Sequence, residues 1–271
     1  MQEATSVKTC AISYASRGVQ VPATLVIPGG MDEFPLAVLC HGHGGSREEN
    51  VGFAAVAAAL AARGIASIRM DFPGCGESSE SFRMNTLSNM KEDVRNAIEC
   101  AKGKLKVGKL GLFGYSMGGR IVLELLAGDT PADAIVLLAP AADTVDLKEL
   151  FGGAQTYDAK AAQAEAVGYA VHTTKFGQVQ QLSRAWFADL DRVRDPAAEA
   201  AAAWQGPALV IWGQDDADVH PFVPAHVAAI LGAQTLDATG EGHGYGFYSE
   251  DDAVRKRVAN AAADFFAEKL K

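Results

Sequence analysis

Apolar residues fall in short dense runs separated by polar turns, and the runs have two kinds of spacing. Two strand-like stretches open the chain, at residues 7–14 and 20–27. Residues 36–40, Leu-Ala-Val-Leu-Cys, are continuously apolar, as in a strand covered on both faces. Residues 54–62 have helical composition, and 65–70 read as another short strand. Between 87 and 101 the apolar positions Leu87, Met90, Val94, Ala97, Ile98 and Ala101 follow the spacing of one helix face. A strand at 109–113 leads into an amphipathic run over 120–126, and a further strand follows at 134–138. The alternation resumes after residue 205: strand 208–212, helix 223–231, short strand 234–236 and a closing helix over 253–270.

Strand and helix alternating at both ends of the chain predict an α/β fold, a mostly parallel sheet with helices on both faces. Residues 143–205 interrupt the rhythm. They are rich in Ala and Gln and carry Tyr157, Tyr169, Phe176, Trp186 and Phe187, with no Pro/Gly/Ser linker to isolate them. The expected organisation is a core of residues 1–142 and 206–271 with a helical insertion over 143–205.

Composition narrows the function classes. The 271 residues are 49% hydrophobic and 21% charged, enough for one well-buried core. A net charge of −9, with no basic cluster beyond Arg255-Lys256-Arg257, argues against a nucleic-acid partner. Cys10, Cys40, Cys75 and Cys100 have no C-x-x-C spacing, which argues against a zinc site or redox pair. Cys75, in a glycine turn, is expected to be the most exposed of them. The start, MQEATSVKTC, lacks the basic-then-apolar pattern of a secretory signal. No run approaches the ~20 apolar residues of a membrane span, so a cytoplasmic protein with no membrane partner is expected.

The candidate chemistry begins at Gly114-Tyr115-Ser116-Met117-Gly118, where a strand meets a helix. A serine on so tight a turn projects its Oγ above the sheet edge, and glycines beside it avoid collisions with strand and helix. The helix start also aims backbone N–H groups and its positive end at the site. A second glycine-rich segment, His41-Gly42-His43-Gly44-Gly45, follows the 36–40 strand. Its backbone can supply one of the two donors an oxyanion needs, which assigns the amides of His43 and Met117 to that role. Two histidines at i and i+2 with no nearby third ligand make a poor metal site, so no metal is expected and His41 is read as a loop brace.

A serine hydroxyl needs a base. Of six histidines, His41 and His43 lie in the oxyanion loop, His172 in the insertion and His226 in a helix. His220 stays open as the base, though it adjoins the acid candidates. His243, in the Gly-rich loop after the last core strand, is the best placed, since that loop comes over the carboxyl edge of the sheet. The orienting acid is expected in Trp212-Gly213-Gln214-Asp215-Asp216-Ala217-Asp218, which offers three aspartates.

These motifs resemble the α/β-hydrolase superfamily over almost the whole chain. Asp71-Phe72-Pro73-Gly74-Cys75-Gly76-Glu77-Ser78 is similar to the family's D-x-x-G-x-G-x-S turn. Gly213-x-x-Asp216-x-x-Val219 is similar to its acid loop, and that likeness implies Asp216 as the acid, giving Ser116, Asp216 and His243 in the family's chain order. Within the superfamily the chain looks most like bacterial feruloyl (cinnamoyl) esterases, through LCHGHGGSREEN, VLLAPAAD and an insertion carrying TKFGQVQQLSRAWFADL. Those esterases often have Phe where this chain has His43 and Gln where it has Met117; both positions act through the backbone, but the swaps alter the acyl pocket. The resemblance implies hydrolysis of a small-molecule carboxylic ester through an acyl-enzyme, without a cofactor. It also implies a cap whose Tyr169, Phe176, Trp186 and Phe187 line the substrate pocket, and a homodimer. A peptidase, a thioesterase or a carbon–carbon bond hydrolase would share this triad, and a binding protein would share the fold.

Overall fold

The computed structural model describes residues 6–128 and 130–271. Its elements begin with β1 (Lys8–Ser16), β2 (Val19–Ile27), β3 (Phe34–Cys40), α1 (Gly52–Ala61), β4 (Ala66–Met70), α2 (Leu87–Lys104), β5 (Val107–Tyr115), α3 (Met117–Ala127) and β6 (Ala134–Leu138). The intervening segment holds α4 (Thr144–Leu150), α5 (Ala154–Val167), β7 (Tyr169–Thr173), β8 (Val179–Ser183), α6 (Arg184–Arg192) and α7 (Pro196–Ala203). The chain closes with β9 (Ala208–Trp212), α8 (Phe222–Leu231), β10 (Gln234–Asp237) and α9 (Ala253–Lys269).

Eight strands form one sheet in the order β1-β2-β4-β3-β5-β6-β9-β10. The β1/β2 and β2/β4 pairs are antiparallel, and every later neighbour is parallel. Helices cover both faces, which explains the unbroken apolar run of β3. Leu36, Val38 and Cys40 pack into the core that includes the apolar side chains of α2 and α3, and Ala37 and Leu39 into the core formed with α1 and α9. A strand with no solvent face has no polar position to alternate with, and each Leu or Val so buried contributes about 1.5–3 kcal/mol.

Between β6 and β9 the chain adds four helices and an antiparallel hairpin, β7 paired with β8 from Tyr169↔Ser183 to Thr173↔Val179. The insertion is therefore not helical throughout. The hairpin strands are only five residues each, with Ala170 and Leu182 buried and Val171 and Val179 exposed. So short an alternation is hidden in a stretch rich in Ala and Gln. Arg120, wholly buried in α3, ties the insertion to the core: it reaches Glu124 on its own helix, Thr144 Oγ1, and the carbonyls of Leu190 (3.2 Å) and Val193 (2.6 Å) at the end of α6.

The turn at 71–78 also differs from expectation. Cys75 is buried rather than exposed, with the Asn85 amide 3.5 Å from its Sγ. The Asp71 carboxylate folds the turn inward by accepting the amides of Arg47 (2.8 Å) and Glu77 (2.9 Å) and pairing with the Arg47 guanidinium. Burial pushes the Cys75 thiol up to about 12, so it is not a thiolate at neutral pH. Among the described residues no helix is long and apolar enough to cross a membrane.

Candidate active site

Ser116 sits where β5 ends and α3 begins, with φ 54° and ψ −119°. A positive φ in a residue with a Cβ is strained, and it persists only where the surroundings enforce it. Here the Ser116 amide donates to Leu138 O (2.9 Å), while its carbonyl accepts from the Ala141 amide (3.0 Å), so the end of β6 and the residues just after it clamp the turn. The flanking glycines are required by space. A Cβ on Gly114 would overlap the Gly118 carbonyl, and one on Gly118 would overlap the Cys40 carbonyl of β3. Gly118→Ala must therefore push α3 off the sheet. Since a displacement of ~1 Å can cost about 100-fold in reactivity, labelling of Ser116 by a fluorophosphonate probe is expected to slow by at least that factor. An unchanged labelling rate would refute this packing argument.

Three side chains from separate loops meet at this edge. His243, in a 3₁₀ turn over Gly242–Gly244, places Nε2 3.0 Å from Ser116 Oγ and Nδ1 2.8 Å from Asp216 Oδ2. A carboxylate can only accept, so Nδ1 carries the proton and Nε2 presents its lone pair to the serine hydroxyl. The Tyr115 hydroxyl donates to His243 O at 2.6 Å, and the two rings lie 5.2 Å apart.

The three aspartates of the acid loop have different tasks. Asp216 Oδ1 accepts the amides of Asp218 and Val219, both at 2.9 Å, and Oδ2 accepts from Tyr245 as well as from His243. Burial pushes its carboxyl up, but the His243 bond and charge, the Val219 amide and the Tyr245 hydroxyl outweigh this and hold it below the ordinary value. Asp215 Oδ2 accepts the amides of Gly240 and Gly242, each at 3.0 Å, and so braces the loop that carries His243. Asp218 pairs with Lys175 of the insertion at 2.6 Å.

The remaining histidines lie away from Ser116 Oγ or are committed elsewhere. His41 is buried between the Gly42 carbonyl (2.8 Å) and the Phe72 amide (3.0 Å), which braces the loop. His220 packs at a tilt against Phe222, and His226 pairs with Asp195. The Met117 amide opens α3 and the His43 amide lies in the facing loop; neither has an acceptor among the described residues.

Above the three side chains lies a cleft of about 900 Å³, bounded by Met117, His43, Phe151, Phe176, Glu49 and Tyr248. That is the size of a small-molecule site.

Residues 37–257 match the alpha/beta hydrolase family. The chain belongs to that family. A 127-residue stretch is 28% identical to Esterase EstD of Thermotoga maritima, covering 45% of this chain and 31% of that protein. Another of 118 residues is 32% identical to an uncharacterized 31.7 kDa Escherichia coli protein, covering 43% of this chain and 41% of that one. The matches thus span less than half the length of these relatives. Among solved structures, Est1E from Butyrivibrio proteoclasticus with ferulic acid bound superposes with a TM-score of 0.77 at 21% identity, over 96% of this chain and 99% of that one. The esterase domain of a Rhodothermus marinus protein gives 0.72 at 19%, over 98% and 100%. Identities so low establish a common fold.

The pocket wall of this α/β-hydrolase differs from the one expected. Of the four aromatics assigned to it, only Phe176 borders the cleft, at the tip of the β7–β8 hairpin. Trp186 and Phe187 are buried in the insertion's own core, edge-to-face with each other at 4.9 Å and beside Tyr157. Tyr169 lies under the Arg83 guanidinium, 3.8 Å from its ring centre. An insertion of about 60 residues has to bury aromatics to hold itself together, and Trp186 and Phe187 do that, while Tyr169 is half-buried. Their place in the wall goes to Phe151 and His172, whose tilted rings lie 4.7 Å apart, and to His43. Burial pushes His43 down to about 4; its Gln180 bond opposes the shift, and His172 and His41 add to it, so the ring is neutral at physiological pH. Tyr245 and Glu49 carry little sequence signal. The one signal for Tyr245 is its position two residues after His243; Glu49 lies in a polar run with nothing to mark it.

Proposed function

We propose that this chain is a serine hydrolase of carboxylic esters. The observation that carries the reading is the relay from Ser116 Oγ to His243 Nε2 (3.0 Å) and from Nδ1 to Asp216 (2.8 Å) at the floor of the cleft. In the proposed cycle, Ser116 Oγ attacks the ester carbonyl carbon and its proton passes to His243 Nε2. The negative charge moves to the carbonyl oxygen, held by the His43 and Met117 amides. The carbon–oxygen bond to the alcohol then breaks, and His243 returns the proton to that alcohol. A water molecule, deprotonated by the same imidazole, attacks the acyl-enzyme; collapse releases the acid and restores the serine. Asp216 stays ionised throughout and stabilises the imidazolium. The insertion, residues 143–205, serves as a cap over the acyl group.

The choice of an ester is supported by the likeness to Esterase EstD, and that of an aryl acid by the fold shared with Est1E, which holds ferulic acid. Phe151, Phe176 and His172 would form the wall against such a ring. Turnover should be measured on p-nitrophenyl esters, methyl ferulate, an acyl-CoA and an aminoacyl anilide. Hydrolysis of the first two, with little of the others, is expected. No hydrolysis of any ester would overturn the reading, and preference for the thioester or anilide would reassign it. A ligand-binding protein without chemistry would fail to take up a fluorophosphonate at Ser116.

A further inference from the structure

We infer that Tyr245 is a positioning residue for Asp216, its phenol fixing the carboxylate and setting the basicity of His243. The inference rests on the triad proposed above. The hydroxyl of Tyr245 lies 2.7 Å from Asp216 Oδ2, the same oxygen that accepts His243 Nδ1–H. It also accepts the Gly213 amide at 3.2 Å, so its own proton is directed to the carboxylate. Asp216 therefore receives four donors: two backbone amides on Oδ1 and two side chains on Oδ2. A carboxylate held this way cannot rotate, and Oδ2 divides its attraction between a phenol and an imidazole.

The placement of the tyrosine is itself costly. Its φ is +48°, between Gly242 (+53°) and Gly246 (+71°), in a loop where glycine would fit without strain. The ring is fully buried, edge-on to Tyr115 at 6.3 Å. Tyr115 in turn holds the His243 carbonyl. Core filling alone would be met by phenylalanine, which would leave the Gly213 amide and one carboxylate direction without a partner. Burial and the neighbouring Asp216 charge push the Tyr245 phenol well above its ordinary value, so it remains a donor throughout the working pH range. The other titratable groups around Asp216 are His243, Asp215, Asp146 and Tyr115, with His220 beside Asp146.

Removing the hydroxyl concentrates the carboxylate's charge on the imidazole, which favours imidazolium. In Tyr245→Phe the His243 pKa, followed by NMR of its Cε1–H, should rise by about half a unit or more. The acid limb of kcat/KM should move to higher pH by the same amount. At the plateau, kcat should fall by about tenfold with KM little changed, as for a loss felt at the reacting atoms. Replacing Tyr245 with 3-fluorotyrosine, a stronger donor of nearly the same shape, should move the imidazole pKa the opposite way. This second variant keeps the test available if the phenylalanine variant does not fold. A tyrosine that only fills space would lower Tm and leave the His243 pKa unmoved in both variants, and that result overturns the inference. The titration needs no substrate, so failure of the esterase reading would show separately, as absence of turnover in the parent protein.

Discussion

Ser116→Ala and His243→Ala are each expected to lower ester turnover by about 10⁴-fold or more, and the double variant by hardly more than either one. The reason is geometric. In the proposed cycle the serine hydroxyl reacts only when Nε2, 3.0 Å away, takes its proton, and the imidazole has no role without that hydroxyl. The effects of residues acting as a unit do not add. Asp216→Asn should cost less than either, since an amide can still accept from Nδ1 but cannot stabilise the imidazolium by charge. Alanine at 116 retains the positive φ and the clamp between Leu138 and Ala141, so the variant should melt like the parent. Steady-state kinetics on p-nitrophenyl acetate with parallel thermal melts would check this. Activity kept in His243→Ala but lost in His220→Ala would mean that another histidine supplies the base.

Arg120→Ala should be the most destabilising single change to a side chain outside the cleft, by about 3–5 kcal/mol. Its guanidinium is wholly buried and satisfies Glu124, Thr144 and two carbonyls at the end of α6. Truncation opens a cavity and strips the guanidinium donor from each of those carbonyls. Thr144 Oγ1 still reaches Val193 O at 2.9 Å, and Lys91 and Arg192 still pair with Glu124, which sets the upper limit of the loss. In a chain this long, that loss lowers Tm by roughly 10 °C. Lysine should restore little, because a single ammonium cannot span partners on α3, α4 and α6. A melt within about 2 °C of the parent would show that the insertion does not depend on this contact. The same arginine makes the insertion part of the core's stability, which accords with the absence of a linker around residue 143.

Much of the architecture is readable along the chain because the forces that set it are local and repetitive. Burial on both faces leaves β3 without a polar residue, and burial on one face leaves α2 with apolar residues at helical spacing. The G-x-S-x-G turn is readable for a steric reason: no other residue fits at Gly114 or Gly118. The insertion was the harder part. Five-residue strands such as β7 and β8 carry too few alternating positions to stand out, and aromatic residues look the same in sequence whether they line a cleft or fill a core. Sequence therefore gives no means to place Trp186 and Phe187 in the insertion's core and Phe151 in the pocket wall.

The sequence by itself determined the order of the elements, the two-faced sheet and the three loops from which Ser116, Asp216 and His243 come, because periodicity and glycine sterics act over a few neighbouring residues. The tertiary structure was needed to show how Asp215, Asp216 and Asp218 divide their partners, which aromatics face the cleft, and that Tyr245 shares the carboxylate. Those depend on distances between segments up to 127 residues apart in the chain, and local spacing carries no information about them.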